Sequence, residues 1–139
     1  MGPWIAAQWG GILRGANAQM SVDVDGFPFR DEAAFQIAVA IMLRQELPAG
    51  VVWFHVPNGE MRDYATARKL KDMGVRPGVA DFIFLDRGRS LAIELKTPRG
   101  RLSDNQEGFS NAWRAAGGAY EIARSLADVR AILVIYGLL

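Results

Sequence analysis

The sequence contains no cysteine, and His55 is its single histidine. The absence of cysteine excludes disulfide frameworks, zinc–thiolate sites, iron–sulfur clusters and cysteine nucleophiles. A single histidine excludes histidine-rich metal cages and any mechanism that needs two imidazoles. A metal bound to this chain must therefore be held mainly by carboxylate and carbonyl oxygens, which favours hard ions such as Mg²⁺ or Mn²⁺.

Long apolar runs are also absent. No stretch of the sequence approaches the roughly 20 apolar residues that a membrane-spanning helix requires. The N-terminal residues carry no basic segment ahead of an apolar one, as a signal peptide would. We therefore expect a cytoplasmic protein without a membrane partner.

The composition predicts one globular domain. The chain has 139 residues, of which 50% are hydrophobic and 22% charged, which is enough for a buried core but too little for two ordinary domains. Residues 1–26 are rich in glycine and form a predicted N-terminal extension, either flexible or part of an interface. The folded domain is predicted to span residues 27–139.

Apolar periodicity and turn residues predict the order helix, strand, helix, strand, strand, helix, strand, helix. This order is typical of a mixed α/β domain. The two adjacent strands flank Arg87-Gly88-Arg89 and are expected to form a hairpin. Helices are predicted over 31–47, 63–73, 103–116 and from Ser125 onward, and strands over 51–56, 81–86, 90–97 and 119–123.

Positive charge is concentrated in one part of the chain. Lys and Arg exceed Asp and Glu by one over the whole sequence, 16 against 15, but by three between His55 and Gln106, ten against seven. Such an excess is typical of a solvated surface and also of a face that contacts nucleic-acid phosphates. From charge alone, the solvated surface is the favoured interpretation.

Three charged residues lie at the ends of the two hairpin strands. Side chains alternate along a strand, so Glu94 and Lys96 share the face opposite to the apolar residues between 91 and 95. Asp81 opens the other strand, and counting outward from the turn brings it close to Glu94. Two neighbouring carboxylates repel each other unless a cation lies between them. An adjacent lysine can then orient a water molecule and offset charge that develops on a phosphate.

The order and spacing of these residues resemble the Asp…Glu-x-Lys signature of the PD-(D/E)XK nucleases, and more closely their VRR-NUC branch. Twelve residues separate Asp81 of the segment GVAD from the segment Glu94-Leu95-Lys96. The resemblance covers about residues 30–139. Further similar features are Glu32 and Gln36 four residues apart, HVPNG at 55–59, RKLKDMGV at 68–75 ahead of Pro77-Gly78, and Gln106 ten residues after Lys96.

This resemblance implies a restriction-endonuclease-like α/β core, with a mixed central sheet flanked by helices, that hydrolyses DNA phosphodiesters with Mg²⁺ or Mn²⁺. Asp81 and Glu94 would ligate the metal together with the backbone carbonyl of Leu95. Lys96 would position or activate the attacking water.

The resemblance implies two supporting residues and, with the basic charge, a set of DNA contacts. Glu32 would act as a further metal ligand or through a metal-bound water. Gln106 would support Lys96 or the scissile phosphate. The residues predicted to contact nucleic acid are Asn58, Arg68, Lys69, Lys71, Arg76, Arg99 and Arg101.

Structural roles compete with several of these assignments. Ser103-x-x-Gln106 is also a capping box, in which Gln106 would only terminate a helix. Glu32 is favourable at a helix N-terminus whatever its other role. His55 is interpreted as a satisfied, partly buried histidine rather than a ligand or a base, and Asn58 as a turn residue first.

The chain resembles small stand-alone VRR-NUC proteins of the phage type in size, and this resemblance implies structure-specific endonuclease activity, including cleavage of Holliday junctions by a homodimer. One alternative is a flap or single-strand nuclease with the same chemistry. Others are a nucleic-acid-binding module with an idle nuclease site and a protein-interaction domain. The presence of Asp81, Glu94 and Lys96 argues against an idle site.

A homodimer is also expected because two symmetric nicks require two sites, which a two-fold dimer supplies. Apolar residues at both ends of the chain exceed what one small domain obviously needs, and a monomer would have to fold them into its core or leave an exposed patch. These residues are Trp4, Trp9, Ile12, Leu13, Leu138 and Leu139.

Overall fold

A computed structural model of the chain describes residues 27–57 and 63–139. Over these residues the helices and strands occur in the predicted order, so that prediction is confirmed. The predictions for residues 1–26 and for Asn58 lie outside the described residues. The elements are α1 (Glu32–Glu46), β1 (Val52–His55), α2 (Tyr64–Asp72), β2 (Phe82–Asp86), β3 (Arg89–Leu95), α3 (Asp104–Ala115), β4 (Ala119–Ala123) and α4 (Leu126–Ile135).

Each described helix begins directly after a capping residue. The capping residues Asp31, Asp63, Ser103 and Ser125 each accept a hydrogen bond from the backbone N–H three residues later. Such a bond satisfies one of the N–H groups that the first turn of a helix leaves without a partner. No helix within the described ranges is both long and apolar enough to cross a membrane.

The four described strands form one mixed sheet in the order β1-β2-β3-β4. β1 pairs with β2 and β2 with β3 in antiparallel fashion, and β3 pairs with β4 in parallel. The predicted hairpin between β2 and β3 is confirmed, and Arg87 and Gly88 form its two-residue turn with φ angles of 47° and 75°. Positive φ at both positions matches the twist of the flanking strands.

The larger core lies on the side of the sheet that α1 and α4 cover. Phe82 of β2 and Ile93 of β3 pack there against Phe35 and Leu43 of α1 and Leu133 of α4. These side chains are almost fully buried. The apolar face predicted for β3 is therefore confirmed as core.

The other face of β3 is buried as well. Phe109 of α3 packs with Ile83 and Ala92 in a second, smaller core. Glu94 and Lys96 lie on this covered face with exposures of 2% and 9%. Glu94 and Lys96 therefore do not lie on an exposed strand face. The helix α3, which connects β3 to β4, covers this side of the sheet.

The C-terminal leucines do not form the surface patch that was expected to favour a dimer. Leu138 is 5% exposed and belongs to the larger core, against which Leu139 also packs. The N–H groups of both residues donate to the carbonyl of Leu133, which folds the tail back onto α4. Exposed apolar side chains lie instead at Val134 and Ile135 near the end of α4.

Candidate active site

Asp81 lies directly before β2, and its carboxylate is held by β3 and α1. Extending the β2–β3 register by one residue places Asp81 opposite Glu94. Its Oδ2 accepts a hydrogen bond of 2.7 Å from the backbone N–H of Leu95. Its Oδ1 accepts one of 2.8 Å from the side-chain amide of Gln36 on α1. The Asp81 carboxylate is thus fixed at the end of the hairpin. Counting residues outward from the turn predicted this position.

Glu94 has one occupied and one unpartnered carboxylate oxygen. Its Oε1 accepts a hydrogen bond of 2.7 Å from Nε2 of Gln106 and lies 3.3 Å from Nζ of Lys96. Its Oε2 is buried and has no hydrogen-bond partner among the residues that the structure describes. A buried carboxylate oxygen without a partner is costly, so this oxygen is available to an added ligand.

Burial raises the pKa of both carboxyl groups and so favours their protonated forms. Burial, followed by the nearby Asp81 charge, raises the pKa of Glu94 to about 7 despite the attraction of Lys96. Burial also raises the pKa of Asp81 above its ordinary value. A cation between the two groups would relieve the repulsion between their charges.

Gln106 caps α3 and also contacts Glu94, whereas the resemblance implied that it supports Lys96 or the scissile phosphate. Its side-chain oxygen accepts from the backbone N–H of Ser103 at 2.9 Å, and its backbone N–H donates to Oγ of Ser103. The capping box is therefore present. Because the amide oxygen accepts from Ser103, the amide nitrogen faces Glu94 and donates to it. The cap orients the group that contacts the carboxylate.

Gly78 brings the first turn of α3 close to the strand that begins at Phe82. Its φ is +78°, and an added Cβ would lie 2.2 Å from the carbonyl oxygen of Asn105 and 2.7 Å from the backbone nitrogen of Gln106. Only glycine accommodates both the left-handed backbone and this close approach. Gly78 therefore allows α3 to reach the position from which Gln106 contacts Glu94.

We expect Gly78→Ala to lower stability and to weaken the Gln106–Glu94 contact. The left-handed backbone costs roughly 1–2 kcal/mol, and the backbone overlap adds roughly 1–3 kcal/mol. Gly88→Ala is the matched control, because Gly88 has a φ of +75° and nothing within 4 Å of its added Cβ. Denaturant unfolding of both variants measures the difference. Equal losses of stability would show that the close approach to α3 has no energetic consequence.

An open cavity of about 810 Å³ is lined by all five predicted catalytic residues. Lys71, the last basic residue of α2, also lines this cavity. Both acidic and basic groups therefore face one space that is accessible to a ligand. The polar and charged residues of its lining include Glu32, Gln36, His55, Lys71, Asp81, Glu94, Lys96 and Gln106.

Of the other predicted nucleic-acid contacts, the five that the structure describes (Arg68, Lys69, Arg76, Arg99 and Arg101) lie outside this lining. Arg68 and Lys69 are exposed on α2. The guanidinium of Arg76 lies over the Phe109 ring at 5.5 Å from its centroid. Arg99 and Arg101 are exposed in the loop between β3 and α3.

Gln36 and His55 also line the cavity and were not among the predicted site residues. Gln36 donates to Asp81, and its spacing of four residues from Glu32 is the sequence signal that places both on one face of α1. His55 was interpreted as partly buried, but its side chain is exposed on β1. Its Nδ1 lies 2.7 Å from the carbonyl oxygen of Asp81. Because a carbonyl only accepts, Nδ1 is the protonated nitrogen in this contact.

Comparison with known proteins identifies the fold. No family model and no curated protein matches the sequence. A solved structure described as a "VRR_NUC domain protein" superimposes with a TM-score of 0.63 and 22% sequence identity, covering 77% of this chain and 88% of that chain. The chain has the VRR-NUC fold. The restriction-endonuclease-like sheet flanked by helices, which the sequence resemblance implied, is therefore confirmed.

In this VRR-NUC fold, the oxygen atoms of Asp81 and Glu94 are suitable ligands for a divalent cation. The fit rests on the unpartnered, buried Oε2 of Glu94 and on the nearby carboxylate of Asp81, since hard cations prefer oxygen ligands. Glu32 lines the cavity but does not complete an acidic cluster. Over residues 27–57 and 63–139, no group of three His, Cys, Asp or Glu side chains is arranged to hold a metal.

We expect the metal-free protein to lose stability as the pH rises through about 7. The pKa of Glu94 is raised from 4.5 to about 7 in the folded state, so the folded protein binds this proton more tightly than the unfolded chain. The resulting stabilisation is complete below the unfolded pKa and is lost above the folded pKa. Its upper limit is about 3 kcal/mol. Thermal unfolding at pH 5.5 and pH 8 measures it, with Glu94→Gln as the variant that lacks this proton.

Mg²⁺ or Mn²⁺ should then raise the unfolding temperature more at pH 8 than at pH 5.5. Metal binding requires deprotonated carboxylates and stabilises the folded state that holds the ion. A metal-induced shift that is independent of pH, or unchanged in Glu94→Gln, would contradict ligation by Glu94.

Proposed function

We propose that this protein is a divalent-metal-dependent DNA endonuclease that hydrolyses phosphodiester bonds, with Mg²⁺ or Mn²⁺ as its cofactor. The observation that carries the proposal is the cluster at one end of the hairpin. There, Asp81 and the half-partnered carboxylate of Glu94 lie beside Lys96 in an open cavity. The similarity of the fold to a VRR_NUC domain protein supports the same chemistry.

Asp81, Glu94 and the backbone carbonyl of Leu95 would hold the metal in this proposal. When bound, the ion supplies an activated water and neutralises charge on the phosphate. Asp81 is already fixed by Leu95 and Gln36, so little reorganisation is needed to present it as a ligand. Glu32 would contribute through a water molecule or as a further ligand.

Lys96 and Gln106 would act on the reacting groups from positions beside Glu94. Both contact its Oε1, so they leave Oε2 available and hold the carboxylate in one orientation. Lys96 also places a positive charge beside the cavity, where it would orient the attacking water and offset negative charge on the phosphate in the transition state. Gln106 would position Glu94 and the scissile phosphate.

The DNA backbone would lie along α2 and the loop between β3 and α3. Lys71 faces the cavity, and Arg68 and Lys69 extend the positive charge along the exposed helix. Phosphate contacts of this kind give affinity that decreases with salt and carries no sequence information. Asn58, Arg76, Arg99 and Arg101 complete the proposed contact set.

A cleavage assay on labelled DNA tests the proposal. Duplex, flap, single-stranded and four-way-junction substrates are incubated with Mg²⁺, Mn²⁺, Ca²⁺ or EDTA. We expect cleavage with Mg²⁺ and Mn²⁺, none with EDTA, and binding with little cleavage in Ca²⁺, whose looser coordination orients water poorly. Salt-sensitive binding without cleavage of any substrate would instead indicate a nucleic-acid-binding module.

We propose further that the preferred substrate is branched DNA, including Holliday junctions, and that the active form is a homodimer. Each chain offers one Asp81/Glu94/Lys96 site, and paired nicks across a junction need two. The C-terminal leucines pack with the core and do not support the dimer. The dimer is proposed because the reaction on a junction is symmetric.

The expected mass in solution is that of two chains. Light scattering coupled to size exclusion at micromolar concentration measures it, and a mass near 15.3 kDa would contradict the dimer. Mixed dimers of wild-type and Glu94→Gln subunits should nick one strand of a junction without resolving it. Full resolution by such mixed dimers would contradict paired sites.

A further inference from the structure

The side chain of Arg124 binds the backbone of the loop that follows β3. Arg124 lies directly after β4, and its Nη1 donates to the carbonyl oxygens of Thr97 at 2.6 Å and Gly100 at 2.8 Å, with a longer contact to Pro98 at 3.4 Å. Its own backbone N–H donates to Asp128 in the first turn of α4. One guanidinium therefore binds three carbonyls of one short loop, while the backbone of the same residue is bound to the start of α4.

This loop connects the proposed catalytic residues of β3 to Gln106 at the start of α3. It is closed by a hydrogen bond of 3.0 Å from the N–H of Gly100 to the carbonyl of Thr97. An added Cβ on Gly100 would lie 3.3 Å from Cδ of Lys96, so the Gly100 backbone packs against the aliphatic part of that lysine. The loop backbone thus forms a wall beside the Lys96 side chain.

We propose that Arg124 is a positioning residue that holds this wall and thereby keeps the Lys96 ammonium beside Glu94. The proposal rests on the proposed nuclease function for its catalytic consequence. The connection runs from the Arg124 guanidinium through the Gly100 carbonyl and backbone to Lys96, whose Nζ lies 3.3 Å from Oε1 of Glu94.

Arginine suits this task because its guanidinium is planar, permanently charged and carries several donors in a fixed geometry. Hydrogen bonds from a charged donor are stronger than those between neutral groups. Methionine at position 124 retains similar packing volume and removes every donor. Lysine retains the charge and part of the donor capacity, so Arg124→Lys is the conservative variant.

The kinetic test compares Arg124→Met and Arg124→Lys with wild type in Mg²⁺, well below their unfolding temperatures. We expect Arg124→Met to lower kcat roughly tenfold or more, since small displacements of a reacting group have large effects on rate. KM for DNA should rise by a smaller factor than kcat falls, because the loop also carries the proposed DNA contacts Arg99 and Arg101, and Arg124→Lys should recover part of the rate. Arg130→Met is the control, because Arg130 pairs with Glu46 on α1 and does not contact the loop.

A second readout does not depend on activity. The N–H of Gly100 should exchange with solvent about tenfold faster or more in Arg124→Met than in wild type, because the loop opens more readily. Wild-type exchange or wild-type kcat in folded Arg124→Met would overturn the proposal, as would a fall in unfolding temperature alone. If wild type itself cuts no DNA, the nuclease proposal fails, and the Gly100 exchange rate still decides whether Arg124 holds the loop.

Discussion

Glu94→Gln is expected to abolish DNA cleavage in Mg²⁺ while the protein remains folded. The amide oxygen of glutamine can take the position of Oε1, where it still accepts from Gln106 and Lys96. The amide NH₂ then occupies the position of the unpartnered Oε2 and cannot ligate a cation. Losing this ligand should lower the cleavage rate by roughly a thousandfold or more.

Asp81→Asn should also abolish cleavage, but with a measurable loss of stability. Both Asp81 oxygens accept hydrogen bonds, from Leu95 and from Gln36, and asparagine offers only one acceptor oxygen. Gln36 must rotate its amide to restore the second bond. Single-turnover cleavage and circular dichroism measure both effects. Glu107→Gln serves as the control, because Glu107 is exposed on α3 and does not line the cavity.

Substantial cleavage by either variant in Mg²⁺ would contradict the assignment of Asp81 and Glu94 as metal ligands.

Gln106→Glu should lower the cleavage rate by roughly 10- to 100-fold, the range for residues that support a metal ligand. Glutamate still accepts from the backbone N–H of Ser103, so the helix cap is retained. It no longer donates to Glu94 and places a second negative charge beside a group whose pKa is already raised to about 7. The variant should therefore keep its stability at pH 5.5 and lose some at pH 8.

Ser103→Ala separates the two roles of Gln106. It removes the oxygen that caps α3 and should cost about 1 kcal/mol of stability, while Gln106 retains its donor to Glu94. Thermal unfolding and cleavage rates of the two variants are measured together. If Gln106→Glu cuts DNA at the wild-type rate, Gln106 is a cap alone and has no part in the proposed reaction.

Local features of the sequence were sufficient to predict the elements and the hairpin. The Arg87-Gly88 turn defines where the chain reverses, and counting outward from it places Asp81 beside Glu94. The strand over 119–123 was predicted with the bounds that the structure shows. Each of these features depends on residues that are close along the chain or on strand register, which a short turn determines.

Features that depend on how the elements pack could not be predicted. The burial of Glu94 and Lys96 requires α3 to cross their face of the sheet, and their alternation along β3 was equally compatible with an exposed face. The bond from Gln36 to Asp81 joins residues 45 positions apart and depends on the placement of α1. The C-terminal leucines were predicted to form part of an interface because the sequence does not show whether an apolar chain end folds back onto the core.

The central claim is that Asp81 and Glu94 together bind the divalent ion that supports phosphodiester cleavage. The most direct measurement is an anomalous difference map from crystals of the wild-type protein grown with Mn²⁺. We predict a Mn²⁺ peak in bonding contact with the Asp81 carboxylate and Oε2 of Glu94, and no peak there in Glu94→Gln. A protein that cleaves DNA in Mn²⁺ but shows its ion elsewhere, or shows the same peak in Glu94→Gln, would contradict this claim.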